Sequence, residues 1–523
     1  MNVIMFWKFF LTCFCWLLIY TVKPVETTAC TQKNLGGDSF VCVCNSDYCD
    51  TVEPNRNPGK NFYNRYQSSK HGDRLNYTAI EFEKNATTQN IFYINASVTY
   101  QSILGFGGAF TDAAGINIMS LPVDVQEKLI QCYYSPDGIE YTVGRIPMAS
   151  CDFSTHPYSY DDSPMDFSLS NFSLAMEDLK YKIPIIQKAL SISSREISIF
   201  GSPWSAPAWM KTNNNMTGKG SLIGQPGGKY FKTWANYFIK FLDAYKSHNI
   251  SLWGLTAQNE PTDGEIYKFP FQAMGWTAAM QRDFIIQDLG PALHNNGYQH
   301  IQLMIMDDQR LVLPEWTSVI LSDKTASQYI AGTAIHWYTD KIFPSELLTY
   351  AHDKFPDKFI FATEACNGDL PWEKHVDLGS WERAESYSHY ILQDLNHWVT
   401  GWTDWNIALD MQGGPNWVSN FVDSPIIVNS DKSEFYKQPM FYALGHFSKF
   451  VLPGSKRVDI KHNGISSLEL AAFILPDSSK VVVVLNRSDK EENFTINDPA
   501  VGFINAQLPA HAIQTYIWWN NQS

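Results

Sequence analysis

The chain has 523 residues, 45% hydrophobic and 18% charged, with a formal net charge of −14 and a pI of about 5.4. That composition excludes a disordered chain, and the length leaves room for roughly two to four domains around a large core. The acidic balance, without a basic block or stripe, argues against a nucleic-acid partner.

Lys8 is the only charge before Lys23, and residues 9–22 are almost wholly apolar. The run is too short to span a bilayer and reads as the core of a signal peptide over about residues 1–24, with a signal anchor as the competing reading. Cys30, Cys42, Cys44 and Cys49 then cluster within segment 25–54. Their spacing fits a small disulfide knot better than a zinc site, and four cysteines allow three pairings. Cys132, Cys151 and Cys366 are expected to be free. Sequons at Asn76, Asn85, Asn95, Asn171, Asn215, Asn249, Asn486, Asn493 and Asn521 agree with the secretory pathway.

Residues 55–100 read as short strands, with 78–82 alternating and 91–94 another candidate. From about residue 101 to 452, short apolar runs alternate with longer amphipathic stretches. Candidate strands cover 103–107, 141–148, 197–201, 252–257, 301–306, 333–337, 359–363 and 402–406. Candidate helices cover 123–132, 175–189, 230–247, 280–288, 315–321, 345–352 and 384–398, and 436–450 reads as one more. Eight strands with intervening helices predict a closed α/β barrel. Gly105-Phe106-Gly107-Gly108 lacks the spacing of a dinucleotide loop, so its glycines read as close-packing positions. After Pro453-Gly454 the rhythm returns to strands, at 468–475, 481–485, 493–496 and 513–519. The tail, 453–523, is a small sandwich candidate that the strands of 55–100 are expected to join.

The strand ends carry the chemistry. Leu255 to Pro261 places Asn259 and Glu260 where an apolar run meets a proline, and 359–363 runs into Glu364. Two strand-terminal glutamates 104 residues apart supply the carboxyl pair that retaining glycoside hydrolysis needs. Glu364 reads as the nucleophile and Glu260 as the acid/base. Arg145 is placed to keep Glu364 ionised and Tyr338 to hydrogen-bond it. Asn259 suits the sugar 2-hydroxyl, Asp152 other hydroxyls, and Trp204 and Trp405 the apolar face of a pyranose. His336 reads as a supporting residue rather than a metal ligand. Asp137-Gly138 and Asp263-Gly264 read as turns, not calcium loops.

These residues resemble family 30 of the glycoside hydrolases, in its glucosylceramide-cleaving members, from about Cys30 to Trp519. Arg145 to Phe153, Thr256 to Pro261, His336-Trp337-Tyr338, Glu364-Ala365-Cys366, Gly401 to Asn406 and Gly413 to Trp417 carry the resemblance. It implies a (β/α)8 barrel, a small disulfide-bearing sheet and an immunoglobulin-like sandwich built from both chain ends. It implies retaining hydrolysis of glucosylceramide at acidic pH in the lysosome, with no cofactor and no metal. Glu260 and Glu364 match the family's acid/base and nucleophile. Asp152, Trp204, Asn259, Trp405 and Asn420 match its glucose contacts, and Cys30–Cys42 and Cys44–Cys49 its disulfides. A saposin-type activator, an anionic lipid surface and a trafficking receptor are implied partners. Gln258 departs from the family, as do loops 339–343, 367–374 and 410–412, where Phe343 and Trp372 are expected to form an apolar rim. The alternatives are a secreted β-glycosidase acting on another glucoside, and a catalytically silent carbohydrate- or lipid-binding protein.

Overall fold

The computed structural model describes residues 28–520, so the signal-peptide reading and the Asn521 sequon lie outside the described residues. Eight parallel strands close into a barrel: β1 (Gly105–Ala109), β2 (Val143–Met148), β3 (Ser198–Pro203), β4 (Gly254–Thr256), β5 (Gln302–Gln309), β6 (Gly332–His336), β7 (Phe359–Glu364) and β8 (Val399–Asn406). β8 pairs with β1, Gly401 opposite Gly105. Burial on both faces explains the continuous apolar runs in these strands. A Cβ on Gly107 would lie 1.9 Å from the Val143 carbonyl oxygen, so the β1–β2 contact requires a glycine there.

Each helix expected between strands is present, among them Val123–Tyr134, Lys229–Ser247 and Trp381–Asn396. Lys229–Ser247 buries Phe231, Trp234, Phe238, Phe241, Leu242 and Tyr245 against the barrel while its lysines face outward. One further helix, Asp112–Met119, follows β1 and has no counterpart in the sequence reading. Its composition, mostly small and apolar, gives no amphipathic period. It is fixed by its cap instead, where Thr111 Oγ1 accepts from the Ala114 N–H at 3.0 Å.

The helix expected at 436–450 begins later, at Pro439, and Glu434–Lys437 is a strand. Proline suits the first turn of a helix, and Tyr436 is claimed by pairing with Val43. This strand belongs to a five-stranded sheet in which Gln32–Lys33 and Val41–Cys44 meet Glu434–Lys437, Ile426–Asn429 and Leu409–Asp410. The small N-terminal sheet is therefore completed by chain that has just left β8. Disulfides join Cys30 to Cys42 and Cys44 to Cys49, and Cys132, Cys151 and Cys366 are free and buried.

The β-sandwich combines both chain ends. Ile91–Ser102 pairs with Lys456–His462 and with Glu492–Asp498, and Phe62–Ser69 pairs with Ala512–Trp518. Phe62–Ser69, Lys456–His462 and Gly502–Leu508 were not among the expected strands; their polar residues on both faces mask the alternation. The sandwich corrects one glycosylation candidate. Asn486 is fully buried, and its amide donates to the Lys490, Leu508 and Pro509 carbonyls, so no glycan fits there. Asn76, Asn85, Asn171, Asn215, Asn249 and Asn493 are exposed, and Asn95 is half-buried. No described helix is long and apolar enough to cross a membrane.

Candidate active site

The C-terminal rim of the barrel gathers the polar strand ends. β4 is only three residues long, and the chain leaves it through Gln258 and Asn259 to Glu260, whose backbone is left-handed at φ 39°. A non-glycine residue held there stores about 1–3 kcal/mol, so its neighbours must hold it. The Asn259 N–H donates to the Pro203 carbonyl at 2.9 Å and the Glu260 N–H to the Asp307 carbonyl at 2.8 Å. Gln258, expected from the sequence to depart from the family, has a structural role. Its amide nitrogen donates to the Pro203 and Trp204 carbonyls, and its oxygen accepts from Trp276 Nε1 at 3.2 Å, so a neutral amide clamps β3 to the β4 exit.

Arg145, fully buried on β2, is the hub. It donates to Glu364, to Asn259 Oδ1 at 2.8 Å, to Asp307 Oδ2 at 2.9 Å and to Ser202 Oγ at 3.2 Å. With its oxygen engaged, Asn259 keeps its NH2 group as a free donor. Asp307 sits at a bulge in β5, where Met306 and Asp307 are both left-handed. It accepts from Arg145, from Thr256 Oγ1 at 2.7 Å and from Thr363 Oγ1 at 2.6 Å. Burial opposes its charge, but Arg145 and His336 outweigh that and hold the carboxyl well below the ordinary range.

His336 bridges the two halves. Its Nε2 lies 3.0 Å from Asp307 Oδ1 and its Nδ1 2.9 Å from Glu260 Oε1. Burial disfavours its charge, yet Glu364, Asp307 and Glu260 outweigh burial and raise it well above the usual histidine value, so the ring is an imidazolium donating from both nitrogens. Gln309 Nε2 also donates to Glu260, at 2.7 Å. Tyr338 Oη donates to Glu364 Oε1 at 2.7 Å.

Carboxylate oxygens of Glu260 and Glu364 lie within 4.8 Å of one another. Burial pushes the Glu364 carboxyl upward against the pull of His336 and Arg145, and the Glu260 charge adds to the rise. Arg145 does pair with Glu364 as expected, but burial and Glu260 oppose the ionisation it favours. Burial acts upward on Glu260 too, but the His336 hydrogen bond and charge bring it below its ordinary value. Groups this close titrate as a unit. Glu260, His336 and Glu364 have the residue types of a metal site, but Arg145 and the imidazolium already supply the positive charge, making the trio an ion-pair network.

Asp152 forms a second cluster, accepting from Asn416 Nδ2 at 3.1 Å and Asn420 Nδ2 at 3.0 Å. Burial pushes it up to about 7, with the nearby glutamates adding to the rise. Trp204 and Trp405 stack with ring centroids 5.2 Å apart and planes 14° apart, and the Arg145 guanidinium lies 5.0 and 5.3 Å from them. Sequence reading missed Asp307, Gln309 and Asn416. The run Asp307-Asp308-Gln309-Arg310 after an apolar strand was the available signal.

A closed barrel with paired glutamates at the C-terminal ends of β4 and β7 defines a glycoside hydrolase. The family model of the glycosyl hydrolase family 30 TIM-barrel domain matches residues 103–451, and that of the family 30 beta sandwich domain matches residues 454–516. The chain belongs to glycoside hydrolase family 30. It is 50% identical to the lysosomal acid glucosylceramidase of Mus musculus, over 94% of this chain and 95% of that protein. It is 48% identical to a putative glucosylceramidase 4 of Caenorhabditis elegans, over 86% of this chain and 87% of that one. The crystal structure of SrfJ from Salmonella typhimurium superposes with a TM-score of 0.80 at 28% identity, covering 87% of this chain and 99% of that one.

Proposed function

We propose that the protein is a retaining β-glucosidase that hydrolyses glucosylceramide to glucose and ceramide. The observation that carries this reading is the 4.8 Å limit on the separation of the Glu260 and Glu364 oxygens, which suits the close carboxyl pair of a retaining enzyme, roughly 5 Å, rather than the wider gap of an inverting one. Glu364 attacks the anomeric carbon as the bond to the ceramide oxygen breaks, and Glu260 delivers a proton to that oxygen. Water then attacks the glucosyl ester, and Glu260 takes its proton as Glu364 leaves. Tyr338 and Arg145 aim the Glu364 oxygens, His336 and Gln309 fix Glu260, and the free Asn259 NH2 serves the sugar 2-hydroxyl. Asp152, steadied by Asn416 and Asn420, takes further hydroxyls, and the Trp204–Trp405 stack bounds the sugar's apolar face.

The mouth of the site supports a lipid aglycone. Trp372, Ile342 and Tyr267, on the loops after β7, β6 and β4, are exposed at 79%, 76% and 78%. Phe343, expected in this rim, is half-buried, and its neighbour Ile342 takes the outward place. An anionic lipid surface, a saposin-type activator and the lysosomal lumen complete the proposed setting.

The test is hydrolysis of glucosylceramide in anionic vesicles beside a soluble β-glucoside and a β-glucan oligosaccharide. Ceramide release at a kcat/KM above that for the oligosaccharide is expected; preference for the oligosaccharide would overturn the lipid assignment. Trp372→Ala should lower turnover of the vesicle lipid several-fold and leave the soluble glucoside unchanged, whereas equal rates on both would remove the rim from the account.

A further inference from the structure

Gln272 lies on the loop that leaves β4 beyond Glu260, and it is fully buried. Its backbone is fixed from the β3 side. Gln272 bridges to Thr217, and the next N–H, that of Ala273, donates to the Met216 carbonyl at 3.0 Å. The buried Lys211 locks the same place, its Nζ donating to the Met216 and Ala273 carbonyls.

From this fixed base the side chain reaches two other strand exits at once. Its amide nitrogen donates to Ser150 Oγ at 2.8 Å and to the Cys151 carbonyl at 3.1 Å, immediately before Asp152 on the loop after β2. Its oxygen accepts from Trp417 Nε1 at 3.2 Å, on the loop after β8. Among the described residues, no other side chain of the β4 loop is hydrogen-bonded to either of these loops.

The two loops build the sugar subsite from opposite sides. The β2 loop carries Asp152 and bends at Ala149, a non-glycine residue held left-handed at φ 67°, so its course needs outside support. The β8 loop carries Asn416 and Asn420, whose amides both donate to Asp152 Oδ2. Its Trp417 N–H donates to the Asp152 and Ser154 carbonyls at 3.2 and 3.1 Å. Asp152 Oδ1 receives no donor among the described residues, which leaves it for a sugar hydroxyl.

An amide of this length supplies what the position demands: two donors for the β2 loop and one acceptor for the indole. The β2 partners also have bonds of their own. Ser150 Oγ accepts from the Tyr158 N–H at 2.8 Å and donates to the Tyr158 carbonyl at 2.6 Å, and the Cys151 carbonyl accepts from the Ser154 N–H at 3.2 Å. Gln272 is therefore not what folds either loop; it sets the one against the other.

We propose that Gln272 is a positioning residue that sets discrimination among sugar hydroxyls, by holding the Asp152 loop in register with the Asn416–Asn420 loop and tying both to the loop after Glu260. This rests on the reading of Asp152 as a sugar contact. The 2-hydroxyl lies outside its influence, because Asn259 is held by Arg145 at its side-chain oxygen and by the Pro203 carbonyl at its N–H. Loss of Gln272 blunts recognition of the hydroxyls that Asp152 takes and spares the 2-hydroxyl.

The experiment measures kcat/KM for an aryl β-glucoside and its 2-, 3-, 4- and 6-deoxy analogues, with the full chain and with Gln272→Met, Trp417→Phe and the double variant. Active-site titration with a glucose-configured cyclitol epoxide normalises each to folded enzyme. Within the 3-, 4- and 6-deoxy set, the largest penalty shown by the unmodified enzyme should shrink by about tenfold in Gln272→Met, the worth of one hydrogen bond to a charged group. Trp417→Phe, which removes a single contact, should move the same penalty in the same direction, and it carries the test if Gln272→Met takes up no label. The double variant should be no worse than Gln272→Met, since both act through one bond. The 2-deoxy penalty should stay within about twofold throughout. Unchanged penalties at every position would overturn the proposal, and so would a 2-deoxy penalty shrinking with the rest, which marks a merely structural residue. Asp152→Ala separates the two levels: if its 3-, 4- and 6-deoxy penalties match those of the unmodified enzyme, the reading of Asp152 fails whatever Gln272 does.

Discussion

Two layers of the barrel interior lie one inward-facing residue apart along the same strands, and they could hardly differ more. The lower layer is Val143, Phe200, Met304, Ala334 and Phe361, all buried and in mutual contact. Two residues further along, at the next inward positions, stand Arg145, Ser202, His336 and Thr363, with Asp307 brought in by the β5 bulge. The lower layer is packing alone and holds the strands at their spacing. The upper layer is almost entirely charge and hydrogen bonds, and its members are satisfied by one another and by Glu260, Glu364, Asn259 and Thr256 around them. A barrel can carry so costly a buried network because the layer beneath it is already closed. The comparison also shows why the polar layer sits at the strand ends, where the chain can leave regular geometry, as Glu260 and Asp307 do.

The comparison is broken most severely at its hub. Arg145→Met removes the cation that Asp307 and Glu364 share. It should cost about 3–5 kcal/mol of stability by leaving buried carboxylates uncompensated. It should also lower kcat/KM by about 10²–10³, because the aimed donors are lost. Denaturant unfolding and steady-state kinetics check the two effects; near-normal activity would mean that the network is ornamental. Phe361→Ala, one layer down, should cost a similar ~3–5 kcal/mol through the cavity it opens. Its kcat/KM per folded molecule should stay within about threefold, the reverse of the Arg145 result in activity.

The pH dependence of stability sharpens the contrast, since only the polar rim titrates. Asp152, raised from 3.8 to about 7, binds more protons folded than unfolded between those values, so its contribution is lost as pH rises toward 7. His336, raised above 6.5, favours the folded state fully below that value, and this is lost as pH climbs through its folded pKa. Asp307, depressed below 3.8, acts oppositely, and its contribution is lost as pH falls below the ordinary carboxylate range. Thermal unfolding should therefore give a midpoint highest at mildly acidic pH and declining toward neutrality. Asp152→Asn should flatten the decline between about pH 4 and 7. A smaller expectation concerns the surface: mass spectrometry of the secreted protein should find no glycan at Asn486, whose amide is spent on three carbonyls.

The fold was legible where apolar runs were pure. All eight barrel strands were read because burial on both faces keeps them mainly hydrophobic, and the polar residues at most of their ends mark the site. Glu260 and Glu364 were read in this way. Asp307 was not, because the strand appeared to stop at Met306; two left-handed residues and a bulge leave no local pattern. Asp263 read as a turn and is one, its N–H donating to the Glu260 carbonyl at 3.0 Å. The strand at Glu434–Lys437 was absorbed into the helix after it, since pairing with Ile426–Asn429 and with Val41–Cys44, the latter far away in sequence, selects the extended form.

The central claim is that Glu364 and Glu260 divide one retaining reaction between them. Incubation with a glucose-configured cyclitol epoxide, followed by peptide mass spectrometry, tests it most directly. The account predicts one label per chain, on Glu364, with loss of activity in step. A label on Glu260 or elsewhere, or full labelling with activity intact, would contradict it.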